Sequence, residues 1–93
     1  ADLMHGYGKM ANADGSSYEG EYQRGRKHGK GTYTFATGIV LITGWAAGGK
    51  VGQGVKWSAD RAQAWEVQDG EPVRSISLEE AAQIAARIGL PVP

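Results

Sequence analysis

Glycine recurs in this chain at a fixed interval. His5 and His28 stand 23 residues apart, as do Gly6 and Gly29, Gly8 and Gly31, and Gly15 and Gly38. The same step carries Gly29 to Gly52, Gly31 to Gly54, Gly25 to Gly48 and Tyr22 to Trp45, so a third, weaker copy follows in which Val51 replaces the histidine. A period of this length describes a stack of like units, each leaning on its neighbours, and the fold then follows from one unit.

The best-formed unit is YEGEYQRGRKHGKGTYTFATG, Tyr18 to Gly38. Tyr18, Gly20 and Tyr22 alternate with Glu19 and Glu21, and Tyr33 and Phe35 alternate with Thr32 and Thr34, which gives two strands with one aromatic face. Between them RGRKHGKG supplies glycines for a turn at positive φ or for close backbone approach. Gly29 and Gly31 are both expected at positive φ, and Gly20 is expected to leave a groove for a neighbouring ring. Each imidazole of His5 and His28 is expected to hydrogen-bond backbone groups within its turn. One hairpin is marginal in water, so successive units must join into a sheet that hides Tyr18, Tyr22, Tyr33, Phe35, Trp45 and Trp57. The predicted fold class is mainly β, a meander of antiparallel hairpins.

On these residues the unit resembles a MORN repeat (membrane occupation and recognition nexus). Tyr18, Gly20, Tyr22, Gly25, His28, Gly29, Gly31 and Tyr33 fit the family's aromatic-x-Gly-x-aromatic strand, downstream Gly, His-Gly-x-Gly and second aromatic strand. The resemblance covers Leu3 to Ser58. It implies a MORN-repeat region over residues 1–60: a partial repeat at 3–17, a full one at 18–40, and a degenerate one at 41–60 where Leu41, Thr43 and Val51 replace the aromatic, glycine and histidine. It further implies turn-forming roles for His5, Gly6, Gly8, His28, Gly29 and Gly31.

The remaining stretch, 61–93, follows a different logic. Ala64 to Val67 reads as a short strand and Asp69-Gly70 as a turn. In SLEEAAQIAARIGLPVP the period becomes helical: Ser77 is an N-cap with Glu80 as its capping-box partner, and Gly89 followed by Pro91 marks the stop. The predicted C-terminal helix spans 77–88, with Leu78, Ala81, Ala82, Ala85 and Ile88 on one face and Ile84 beside them, as a cap on the sheet or a docking element.

Composition removes several functions. Ten basic residues balance ten acidic ones, so no overall field draws the chain to nucleic acid. There is no cysteine, and hence no disulfide or thiolate site. No apolar run reaches the roughly 20 residues that span a bilayer. GWAAGGKV, Gly44 to Val51, mimics a phosphate loop but has Val51 where a hydroxyl should hold magnesium, and it lies between strands instead of opening a helix. His5 and His28 lack clustered second ligands. The reading therefore assigns no catalytic residue, metal or cofactor. It expects a soluble chain, cytoplasmic or of an organellar stroma or matrix, or membrane-peripheral; Ala1 at the start fits a trimmed or processed product, or the ordered part of something longer.

Two surface resources remain. Arg24, Arg26, Lys27 and Lys30 form the one concentrated basic patch, a weak and salt-sensitive anionic-lipid site at about 1 kcal/mol per group near an anionic surface. Tyr18, Tyr22, Tyr33 and Trp45 are the rings that the resemblance offers to a helix or extended segment of another protein. The leading expectation is a non-catalytic scaffold or accessory subunit of a multi-subunit complex. The alternatives are a module that targets phosphoinositide or other anionic membranes, and the regulatory flank of an enzyme whose catalytic domain lies elsewhere.

Overall fold

The computed structural model describes residues 5–93, so Ala1 and the first two residues of the partial repeat, Leu3 and Met4, lie outside the described residues. Among the described residues seven strands follow one another in a single antiparallel meander: β1 (Gly6–Ala11), β2 (Ser17–Gln23), β3 (Arg26–Thr34), β4 (Val40–Ala46), β5 (Gly49–Trp57), β6 (Ala64–Gln68) and β7 (Glu71–Ile76). One helix, α1 (Leu78–Ile88), closes the chain. The sheet continues without a break across residue 60. β7 is an addition to the single tail strand expected from the sequence.

Two kinds of turn alternate along the meander. Arg24-Gly25, Ala47-Gly48 and Asp69-Gly70 are two-residue connections with φ of 53° and 79°, 50° and 89°, and 52° and 86°. Positive φ at both positions is the type I′ turn, whose twist matches that of the strands it joins. The other connections are wider, closed by backbone N–H groups of Asn12 to Ser16, Phe35 to Ile39 and Ser58 to Gln63 at 2.8, 2.8 and 2.9 Å. The last spans one residue more than the other two. That insertion slips the fourth unit, so Trp65 instead of Ala64 continues the row of Tyr18, Tyr33, Leu41 and Lys56 across the strands. The 23-residue register fades there because of one extra residue, while the architecture continues.

His-Gly-x-Gly is not a hairpin turn. In β3 the pairing with β2 shifts between Gly20 and Tyr22, so His28, Gly29 and Lys30 bulge opposite Glu21. The same shift recurs opposite Thr43 in β5. Gly29 and Gly52, equivalent residues, take φ of 67° and 75° at these bulges, where an L side chain would be strained. Gly31 does not have positive φ; it is required for a different reason, the ring that lies on it.

The sheet has two unlike faces. On one, Val40, Ile42, Val55, Trp57 and Ala64 pack under Ala81, Ile84 and Ala85 of α1 to form the larger buried cluster, with Ile76, Ile88 and Leu90 at its margin. Small alanines let the helix approach the strands closely. Leu78, 47% exposed, and Ala82 fall outside this stripe, a correction to the predicted face. Ser77 caps the helix, its Oγ accepting from the Glu80 N–H at 3.0 Å. The Glu80 carboxylate turns away to Arg74, which also holds Glu66 at 2.7 Å, so the capping box is half formed and β6, β7 and α1 are tied together. At the other end Gly89 adopts φ of 91°, and the Leu90 and Gly89 N–H groups reach Ala85 and Ala86 carbonyls at 3.1 Å each, a Schellman stop.

Candidate interaction site

The face that α1 leaves uncovered carries the aromatic cluster. Tyr18, Tyr22 and Trp45 are 1%, 6% and 5% exposed, with half-buried Tyr33 against them. Tyr18 meets Tyr22 and Trp45 edge-to-face at 5.2 and 5.4 Å between ring centroids, and Tyr33 meets Phe35 in the same way at 4.9 Å. Such pairs stabilise beyond the area they bury. Gly20 and Gly31 pair across β2 and β3, and the Tyr18 phenol lies over both; its hydroxyl donates to the Glu21 carbonyl at 3.1 Å. The groove expected at Gly20 is filled by Tyr18 of its own strand. Burial, with the neighbouring Tyr22 next, pushes the Tyr18 hydroxyl up to about 12.

Three of the four rings expected to meet a partner, Tyr18, Tyr22 and Trp45, are therefore core by burial, and the polar atoms of two of them are used internally: beside the Tyr18 hydroxyl, the Trp45 Nε1–H points at the Gly31 carbonyl at 3.4 Å. Tyr33 remains accessible. Its hydroxyl donates to Ser16 Oγ at 3.1 Å, and Ser16 in turn donates to Asp14 at 2.6 Å, which holds the Asp14 carboxyl below its ordinary range. Phe35, also half-buried, joins it at the surface.

The basic stretch is divided by strand alternation. Arg24 and Arg26 line a depression at the hairpin tip with Gln23 and Ala47. Lys27 is drawn onto the aromatic face, where its Nζ stands 5.4, 5.8 and 5.7 Å from the ring centroids of Tyr18, Tyr33 and Trp45. Lys30 points to the opposite face, beside Gly89 at the C-terminus of α1, where the helix dipole favours a cation. The four do not form one patch.

Neither histidine has the predicted role: His5 and His28 are exposed, and neither ring makes a hydrogen bond among the described residues. The bulge is held by carboxylates. Glu21 accepts from the Lys30 N–H at 2.9 Å, and Asp69 accepts from the Gly52 N–H at 2.7 Å at the equivalent place. Spacing marks the histidines as repeated without indicating which atoms bond.

Lys50 was not singled out by the sequence reading, although the register contained it. It lies one period after Lys27 and stands opposite Trp45 as Lys27 stands opposite Tyr22. Its Nζ is 5.9 Å from the Trp45 centroid. Lys27, Tyr33, Phe35, Trp45, Gly48 and Lys50 enclose a cleft of about 210 Å³. Among the described residues no three His, Cys, Asp or Glu side chains gather as a metal site, and no helix is long and apolar enough to cross a membrane.

No curated protein matches the chain in sequence. The sequence profile of the MORN repeat matches residues 1–17 and 18–40. Repeats of this kind are generally non-catalytic and are consistent with interaction or membrane-targeting modules. The matched segments supply β1 to β3, and the same bulge, I′ turn and aromatic–lysine pairing continue into β4 and β5 beyond them. The chain therefore carries MORN repeats at residues 1–17 and 18–40.

Proposed function

We propose that this chain is a non-catalytic protein-interaction module, a scaffold or accessory subunit of a larger assembly, that meets its partner with the sheet face opposite α1. The observation that carries this reading is the accessible pair Tyr33 and Phe35 beside the lysine-flanked cleft, on a face to which no element of the described chain is docked. Accessible aromatics over a rigid buried layer are what interface anchors require: large contact area at little cost in side-chain entropy. The experiment is affinity purification of the tagged protein from its native cells, beside Tyr33→Ala/Phe35→Ala, with circular dichroism as a folding check. A stoichiometric partner lost from a folded variant supports the reading. No partner, or one retained in full by the variant, refutes it.

A second reading, anionic-membrane targeting, draws on Arg24 and Arg26 at the hairpin tip. Only these two of the four predicted lipid-patch residues share that surface, against the clusters of 4–8 cations that hold proteins on anionic membranes. Sedimentation with phosphatidylserine vesicles over a salt series tests it, because electrostatic lipid binding disappears as salt rises.

A further inference from the structure

We infer that the cleft between Lys27 and Lys50 is an anion-accepting pocket that receives an acidic side chain, with an adjoining apolar one, from a partner protein. This rests on the reading of the chain as an interaction module and names the chemistry of its partner.

Both ammonium groups converge on one ring. Lys27 reaches Trp45 from β3 and Lys50 from β5, with Nζ atoms 5.7 and 5.9 Å from its centroid. The ring faces attract each cation. They do not neutralise it, and two like charges brought to the same ring repel. Among the described residues the ion pairs are Arg74–Glu66 and Arg74–Glu80, so neither lysine has a carboxylate within 4 Å, and neither Nζ makes a hydrogen bond. The acidic residues that could serve are directed elsewhere. Glu19 and Glu21 lie on the other face, engaged with Tyr7 and the Lys30 N–H, and Asp69 holds the Gly52 N–H. Lys27 is half-buried against apolar rings, where an unpaired charge gains most from a counter-ion. A carboxylate between the two lysines would accept hydrogen bonds from both and relieve their repulsion, a charge-assisted geometry of the stronger kind. Tyr33 and Phe35 form the wall on which a neighbouring apolar side chain would rest.

The occupant is a protein segment and not a membrane. A lipid surface needs cations side by side in one plane, and here Lys30 lies on the far face while Arg24 and Arg26 line a separate depression at the tip.

The probe is a short fluorescein-labelled peptide of alternating Glu and Leu, with Gln-Leu and Lys-Leu peptides and phosphatidylcholine–phosphatidylserine vesicles as comparisons. Anisotropy measures affinity, and the Trp45 indole and lysine ammonium resonances report the place. The inference predicts that the acidic peptide binds, that it moves the Trp45, Lys27 and Lys50 signals, and that Lys27→Met and Lys50→Met each weaken it about tenfold, the loss of one charged hydrogen bond. Arg24→Gln/Arg26→Gln should change little. Lys50 is exposed, so Lys50→Met keeps the fold and carries the test if Lys27→Met does not. Equal binding by the Gln-Leu peptide, unchanged affinity in Lys50→Met, or binding of vesicles without binding of the peptide overturns the inference. If a cellular partner is captured as fully by folded Lys50→Met as by wild type, the pocket assignment falls while the interaction reading stands; if no partner is captured at all, the interaction reading itself fails.

Discussion

The Tyr18 ring occupies the place that a side chain on Gly31 would need: a Cβ built there collides with the phenol carbons and hydroxyl. Gly31 is paired with Gly20, whose own Cβ would come within 2.7 Å of the same hydroxyl. The two glycines are a seat for one ring. Gly31→Ala should therefore destabilise the fold by about 1–3 kcal/mol through overpacking, and the cost should shrink in a Tyr18→Leu background. Urea unfolding of the double-mutant cycle checks it; additive losses would mean that the ring and the glycine do not share the space.

Gly52 separates backbone strain from crowding. Its φ is 75°, and nothing lies within 4 Å of an added Cβ. Gly52→Ala should cost about 1–2 kcal/mol from the left-handed conformation alone, and Gly52→Asn less, since asparagine tolerates that region. Equal losses for the two variants in thermal unfolding would contradict the strain account.

Thr43 replaces the glycine of the repeat, and its Oγ1 is buried with no hydrogen-bond partner among the described residues. Valine has nearly the same shape without the hydroxyl. Thr43→Val should raise stability by about 1 kcal/mol, because it removes an unpaid desolvation penalty. A lower unfolding midpoint would show that the hydroxyl is bonded in solution.

Acid should loosen the end where β6, β7 and α1 meet. The Gln53 side chain, then Arg74, holds the Glu66 carboxyl below its ordinary value of 4.5. A depressed folded pKa means that the unfolded chain binds the proton more readily. The resulting stability is complete above 4.5 and is lost as pH falls through the lower folded value. Asp14 and Asp60, held down by hydrogen bonds from Ser16 and Ser58, act in the same direction. Glu66→Gln should flatten the acid limb of the stability–pH curve while leaving the alkaline limb intact. An unchanged acid limb would refute the linkage.

What the sequence made legible was whatever repeats. The 23-residue register identified the first five strands, and Ser77 and Gly89 bounded the helix, because capping chemistry is local. The register failed where one residue entered the Ser58–Gln63 turn and moved Ala64 and Trp65 of β6 to the faces opposite to those that the period assigns them. β7 was invisible for another reason: EPVRSI lacks alternation and carries Pro72, which suits an edge strand. The aromatic face was recognised, but periodicity cannot tell a buried ring from a presented one. Tyr22 and Trp45 proved to be core, while Phe35 and Lys50 reached the surface. The split of Lys27 from Lys30 follows from strand alternation, since the bulge sets three residues opposite Glu21 and so leaves Lys27 and Gly31 on the aromatic face and Lys30 on the other.

The most direct test is amide hydrogen exchange of the protein alone and in complex with the partner captured from its cells. The account predicts that partner binding protects Tyr33–Phe35 and the β4–β5 hairpin around Trp45–Lys50, with α1 unchanged. Protection confined to α1, or to the Arg24–Arg26 tip, would place the interface elsewhere and contradict it.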